Sequence, residues 1–175
     1  VFTYTEDVFA RVPDPGKKLS DIDSIAARGD ALFASDGAEG KIFLYRDETG
    51  WRELPRGKEY PPHPEGLAFD DTGNLAVLDE SDRSVSILRE DGTLSREFLK
   101  HPLFQTPEGI IFHPRLNAFL ITDDTTGAIF RYELGKPLAL FADTTDGLRF
   151  PEDIAVAPNG DIAVTDNGRR ELVFF

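Results

Sequence analysis

Three short motifs put a carboxylate after a proline at a near-constant interval: Pro64-Glu65-Gly66-Leu67, Pro107-Glu108-Gly109-Ile110 and Pro151-Glu152-Asp153-Ile154, spaced by 43 and 44 residues. A degenerate fourth copy upstream, Ile22-Asp23-Ser24-Ile25, sets Asp23 in the place of the glutamates. Equivalent positions of a repeat occupy equivalent places in the fold, so repeats arranged about an axis would turn Asp23, Glu65, Glu108 and Glu152 toward one another. Like charges gathered in a confined site are relieved by protonation, by solvent or by a bound cation. Calcium, with six to eight oxygen ligands in a flexible shell, suits four carboxylates plus water, and magnesium or manganese would also bind. The competing role for each glutamate is a strand start at which its side chain bonds a nearby backbone amide.

A cation at such a mouth would polarise an ester or lactone carbonyl and acidify a bound water, with Glu65 or Glu108 taking the proton. His63, two residues before Glu65, is a candidate proton shuttle; its competing role is a solvated loop histidine among Pro61, Pro62 and Pro64. A second series, Asp36, Asp79, Asp123 and Asp166, recurs at steps of 43, 44 and 43. An aspartate closing a strand before Gly, Glu, Asp or Asn caps the next turn through its side chain, so this series reads as structural. His101 and His113 fall in connecting or turn segments and carry no expected role. Nucleophile-elbow, zincin and phosphate-loop motifs do not occur in the sequence.

The elements that must position these carboxylates follow from the same period. Each motif runs into a short apolar stretch, a turn (Asp71-Thr72-Gly73-Asn74, Pro114-Arg115-Leu116-Asn117, Pro158-Asn159-Gly160-Asp161) and a second apolar stretch ending in the aspartate series. In the second repeat the spacing predicts strands over 67–69, 75–78, 85–88 and 96–99. Four short strands in about 40 to 45 residues is the unit of a propeller blade, in which each twisted sheet buries both faces against its neighbours. The expected fold is therefore all-β, a β-propeller of four-stranded antiparallel blades over about 19–54, 64–99, 107–141 and 151–175. The last repeat ends after three strands, and Val8 to Val12 stands where a fourth strand would, so this N-terminal strand is expected to complete the last blade. Two arrangements remain open: a complete four-bladed ring, or part of a longer propeller. The first residue is Val1 rather than Met, which leaves room for a leader or a longer N-terminal region.

The Pro-Glu-Gly and Pro-Glu-Asp repeats, with Leu120-Ile121-Thr122-Asp123-Asp124 and the stretch from Pro151 to Asp166, resemble the family of gluconolactonases, senescence marker protein and luciferin-regenerating enzyme. They are also similar to NHL-repeat propellers. The first resemblance implies a six-bladed propeller with an axial divalent cation held by Glu, Asn or Asp at the start of the innermost strands. Carried over, that position is Asp23, Glu65, Glu108 and Glu152. The chain departs from the pattern in having no Asn at any of the four, and no equivalent of the family's Arg and Asn substrate-binding motif.

Composition bounds what remains. The 175 residues include no cysteine, so disulfides and thiolate metal sites are excluded, and any metal must be held by oxygen or imidazole. With 19 basic against 32 acidic side chains, the net charge of −13 offers no basic patch to replace phosphate counterions, which argues against nucleic acid and anionic lipid as partners. Apolar runs of membrane-spanning length are absent from the sequence, so membrane insertion is not expected, and the compartment stays open. Two functions are carried forward. One is a cation-dependent hydrolase of a small lactone or ester. The other is a non-catalytic NHL-like propeller binding a protein or carbohydrate partner.

Overall fold

The computed structural model describes residues 2–5, 8–11, 20–56, 60–89 and 91–175, with 2–5, 8–11 and 96–98 described as backbone alone. Its strands are β1 (Phe2–Thr5), β2 (Val8–Arg11), β3 (Ile22–Arg28), β4 (Ala31–Asp36), β5 (Lys41–Arg46), β6 (Gly50–Glu53), β7 (Pro64–Phe69), β8 (Leu75–Asp79), β9 (Ser84–Leu88), β10 (Leu94–Lys100), β11 (Pro107–His113), β12 (Ala118–Asp123), β13 (Ala128–Tyr132), β14 (Ala139–Ala142), β15 (Pro151–Val156), β16 (Ile162–Asp166) and β17 (Glu171–Phe174). Every sheet is an antiparallel meander in chain order: β3 to β6, β7 to β10, β11 to β14 and β15 to β17. These are four blades of a β-propeller.

The blades stack because both faces of their middle strands are apolar. Leu75, Ala76, Val77 and Leu78 of β8 are all sealed from solvent. Alternate residues of such a strand point to opposite faces, so Leu75 and Val77 join the core shared with the first blade, built with Phe33, Ile42, Leu44 and Leu54. Ala76 and Leu78 join the core shared with the third, with Phe104, Phe119 and Phe130. A third core, around Leu120, Ile129, Leu148, Ile154 and Val164, joins the last two blades. The innermost strands pack in succession, β3 on β7, β7 on β11 and β11 on β15.

One expectation fails. Among the described residues, Val8–Arg11 pairs with Phe2–Thr5 in a two-stranded hairpin and the fourth sheet has three strands, so Val8–Arg11 does not complete the last blade. A strand partner two residues away is reached at small loop-closure cost, whereas β17 lies at the other end of the chain. Val12, the last residue of the expected strand, lies outside the described residues.

Strand bounds also shift inward toward the axis. β7 begins at Pro64 rather than Leu67, and in all four blades the pairing of the first two strands slips by one residue just after its start. In the second blade Pro64 faces Asp79 and Leu67 faces Val77, which leaves Glu65 and Gly66 opposite the single residue Leu78. Such a bulge bends the strand and re-aims its side chains. The carboxylate of each repeat sits on this bulge.

Candidate metal centre at the axial mouth

The repeated bulge would strand a backbone amide, and the sequence supplies a hydroxyl to meet it. Gly109 donates its N–H to Thr122 Oγ1 at 2.8 Å, Asp153 to Thr165 at 2.8 Å and Ser24 to Ser35 at 3.0 Å. In two blades the same hydroxyl also donates to the carbonyl of the next blade's carboxylate residue, Ser35 to Glu65 and Thr122 to Glu152. The second blade has Leu78 in this place.

The aspartate after each of these residues is fully or almost fully buried. Asp79 accepts the N–H of His63 at 2.7 Å, the N–H of Asp82 at 2.7 Å and the Ser81 hydroxyl at 3.0 Å. Asp123 accepts from Gln105, Thr106 and Thr126, and Asp166 from Arg149, Phe150 and Arg169. Asp36 accepts from Ser20 and Glu39. Each aspartate therefore caps its own turn and also ties down the loop that leads into the first strand of its blade, a second attachment beyond the turn cap read from sequence.

Held this way, the four bulges open onto one cavity of about 570 Å³, lined by Asp23, Glu65, Glu108 and Glu152 together with their neighbours Ser24, Gly66, Gly109 and Asp153. The residue following each buried aspartate stands beside the axial carboxylate of its own blade. These residues are Gly37, Glu80, Asp124 and Asn167. Two of them offer donors: Gly37 gives its N–H to Asp23 at 2.8 Å, and Asn167 its amide to Glu152 at 2.7 Å. The other two add negative charge.

The consequence is electrostatic asymmetry. Burial, then Asp23, Glu108 and Glu80, push Glu65 up to about 7. Burial, then Glu80, Asp124 and Glu152, push Glu108 up to about 7 as well. Asp124 is raised by burial and by Glu152, and Asp23 is raised chiefly by burial. The uncompensated charge thus sits on the second and third blades. The chemistry of this donor set fits a divalent cation, whose charge would offset the repulsion, and Glu65 and Glu108 are the side chains with most to gain.

His63, a loop residue whose side chain is 41% exposed, stands beside this centre. Its Nδ1 is 3.6 Å from Glu65 Oε2, and His63, Glu65 and Glu80 bring one ligand atom each to within 4.8 Å of one another. Glu80 escaped the sequence reading because a residue after a strand-ending aspartate reads as part of a turn; its periodic equivalence to Asp124 and Asn167 was the available signal. His113 is the last residue of β11 rather than a turn residue. It is buried, with Nε2 against the Gly160 carbonyl at 3.1 Å and Nδ1 accepting the Leu116 N–H, and so links the third and fourth blades.

Comparison with known proteins agrees with this architecture. The NHL repeat model matches residues 148–173. No curated protein matches the sequence. Among solved structures, a catalytically inactive variant of virginiamycin B lyase from Staphylococcus aureus, crystallised with quinupristin, superposes with a TM-score of 0.73 at 16% identity, over 95% of this chain and 55% of that one. A gluconolactonase from Xanthomonas campestris gives 0.67 at 20% identity, over 83% and 54%. A nidogen/laminin complex chain gives 0.66 at 20% identity, over 83% and 55%. At these identities the likeness establishes the fold. The chain spans little more than half the length of these structures.

Proposed function

We propose that the axial mouth is the active site of a divalent-cation-dependent hydrolase acting on a small lactone or ester. The observation that carries this reading is the convergence of four carboxylates from distant repeats on one cavity, with two of them raised to about 7. A cation bound there would supply Lewis-acid polarisation of the substrate carbonyl and a water of lowered pKa.

The chain's own residues divide the remaining work. Gly37 and Asn167 fix Asp23 and Glu152 by hydrogen bonds, so these two carboxylates shape the wall of the cavity. Glu65 is the ligand nearest the further donors His63 and Glu80. Glu108 is left as general base, and a carboxylate titrating near 7 is matched to accepting a proton at neutral pH. The cavity has room for a small ring and a water, and the acidic surround favours uncharged substrates over anions.

The test is hydrolysis of a panel of small lactones and aryl esters by chelator-treated protein, with and without added divalent cation. Activity is expected only with cation, and Glu108→Gln is expected to lower kcat by about 100-fold or more. Chelator-insensitive activity, or full activity in both Glu65→Gln and Glu108→Gln, would remove the mechanism. The competing reading, a binding module without catalysis, draws on the likeness to a chain of the nidogen/laminin complex and predicts no turnover under any cation.

A further inference from the structure

We propose that His63, Glu65 and Glu80 form a three-ligand seat for one first-row transition dication of the zinc and manganese class, set off the axis where the first and second blades meet. This deepens the reading of the mouth as cation-binding and rests on it, but it changes both the position of the ion and its chemical class.

The geometry is close to that of a bound ion. A tetrahedral shell with ligands at about 2.1 Å keeps neighbouring ligand atoms about 3.4 Å apart, so a trio already within 4.8 Å needs side-chain movements of about an ångström. Two carboxylates and one imidazole lone pair balance a dication's charge. Calcium seeks six to eight oxygens and gains little from imidazole, whereas a mixed nitrogen and carboxylate set suits zinc, manganese and iron.

A second observation is independent of the acidic cluster. Nδ1 of His63 is shielded from solvent and has no hydrogen-bond partner among the described residues. It faces Glu65 at 3.6 Å, beyond a good hydrogen bond. A shielded ring nitrogen without a hydrogen-bond partner, beside two carboxylates, is the type of atom that a metal satisfies.

The placement is built rather than incidental. His63 lies between Pro62 and Pro64, whose rings restrict the backbone on both sides, and its N–H is held by Asp79. Glu80 follows Asp79 directly, so one buried carboxylate positions both outer ligands. The imidazole occupies space that the first blade leaves free at Gly37. A Cβ on Gly37 would stand 3.1 Å from Cε1 and 3.3 Å from Nδ1 of His63. The same Cβ would stand 2.8 Å from Asp23 Oδ2, and Gly37 is not among the residues with positive φ, so the carboxylate and the ring together, and not the backbone, call for a glycine here. Glu65 also lines the axial cavity, so coordination positions left open by the three ligands adjoin the space assigned to substrate.

The experiment is calorimetric titration of the chelator-treated full chain with Zn²⁺ and with Ca²⁺, joined to pulsed electron paramagnetic resonance of the Mn²⁺-loaded protein. One Zn²⁺ per chain is expected, bound tighter than Ca²⁺, with ¹⁴N coupling to the Mn²⁺. His63→Gln and Glu80→Gln should each weaken Zn²⁺ by ten-fold or more while both still unfold cooperatively in chelator. The nitrogen coupling is read on the unaltered chain, so the inference stays testable if a variant fails to fold, and absence of that coupling overturns it. A cation whose binding depends on Glu108 and not on His63 also overturns it, while leaving the axial reading above in place. No binding of any divalent cation would end both.

Discussion

Glu65 and Glu108 are held against their own ionisation, and that has a measurable sign. Their native pKa values near 7 lie above the ordinary carboxylate range, so between about 4.5 and 7 the folded chain holds more protons than the unfolded chain. Stability of the cation-free protein therefore falls as pH rises through this window, and it is regained when the carboxyls are protonated below it. Because the cavity is open to solvent, the size is set on the order of 1 kcal/mol per group, less than a dry interior would give. Glu65→Gln and Glu108→Gln should each raise the melting temperature at pH 8 in chelator by about 2–4 °C and leave it unchanged at pH 4, as followed by circular dichroism. A saturating dication should reverse the pH trend, since binding requires the deprotonated form. Equal melting of wild type and variants at both pH values would show that the carboxylates are not in one another's field.

At the scale of the strand, the first-strand bulge and the hydroxyl opposite it form a unit that aims the carboxylate. Thr122 serves two otherwise stranded groups, the Gly109 amide and the Glu152 carbonyl, and is fully buried. Thr122→Val keeps the shape and orphans both, for a cost of about 2 kcal/mol and a fall in melting temperature of about 4–8 °C. Thr165 makes the equivalent bonds to Asp153 in an exposed position, where water replaces the lost partner. Thr165→Val should therefore cost under about 1 kcal/mol in the same denaturation experiment. Similar losses at the two sites would mean that the hydroxyl acts through packing. The contrast also explains what the sequence could and could not disclose. A period of 43 to 44 residues located the carboxylates and the buried aspartates because each is the same residue type in nearly every copy. The hydroxyl position reads Ser35, Leu78, Thr122 and Thr165, and the position after the aspartate reads Gly37, Glu80, Asp124 and Asn167. Their functions emerge only when the bulge brings strand and turn together. The hairpin of β1 and β2 was missed for a different reason: repeat spacing marked Val8 to Val12 as a fourth strand, but spacing does not choose between two available edges.

At the scale of the blades, the described residues form three cores between successive blades, and among them the outer faces of the first and last blades have no matching sheet. Ile25 of β3 is 59% exposed, and Leu172 and Phe174 of β17 are 56% and 67% exposed, although they hold the same places in the repeat as core residues elsewhere. Apolar residues that gain no burial on folding contribute nothing by the area argument, whatever their size. Phe119, sealed between the second and third blades and in edge contact with Phe112 at 5.3 Å, should lose about 3–5 kcal/mol as Phe119→Ala. Phe174→Ser and Leu172→Ser should each stay within about 0.5 kcal/mol of wild type for the same chain. Urea denaturation of the three variants separates the cases, because a shared midpoint shift would require the last blade's outer face to be buried in solution. Such burial would make the fourth blade an internal one, and the fold would then have to be understood with a fifth sheet or another chain against β17.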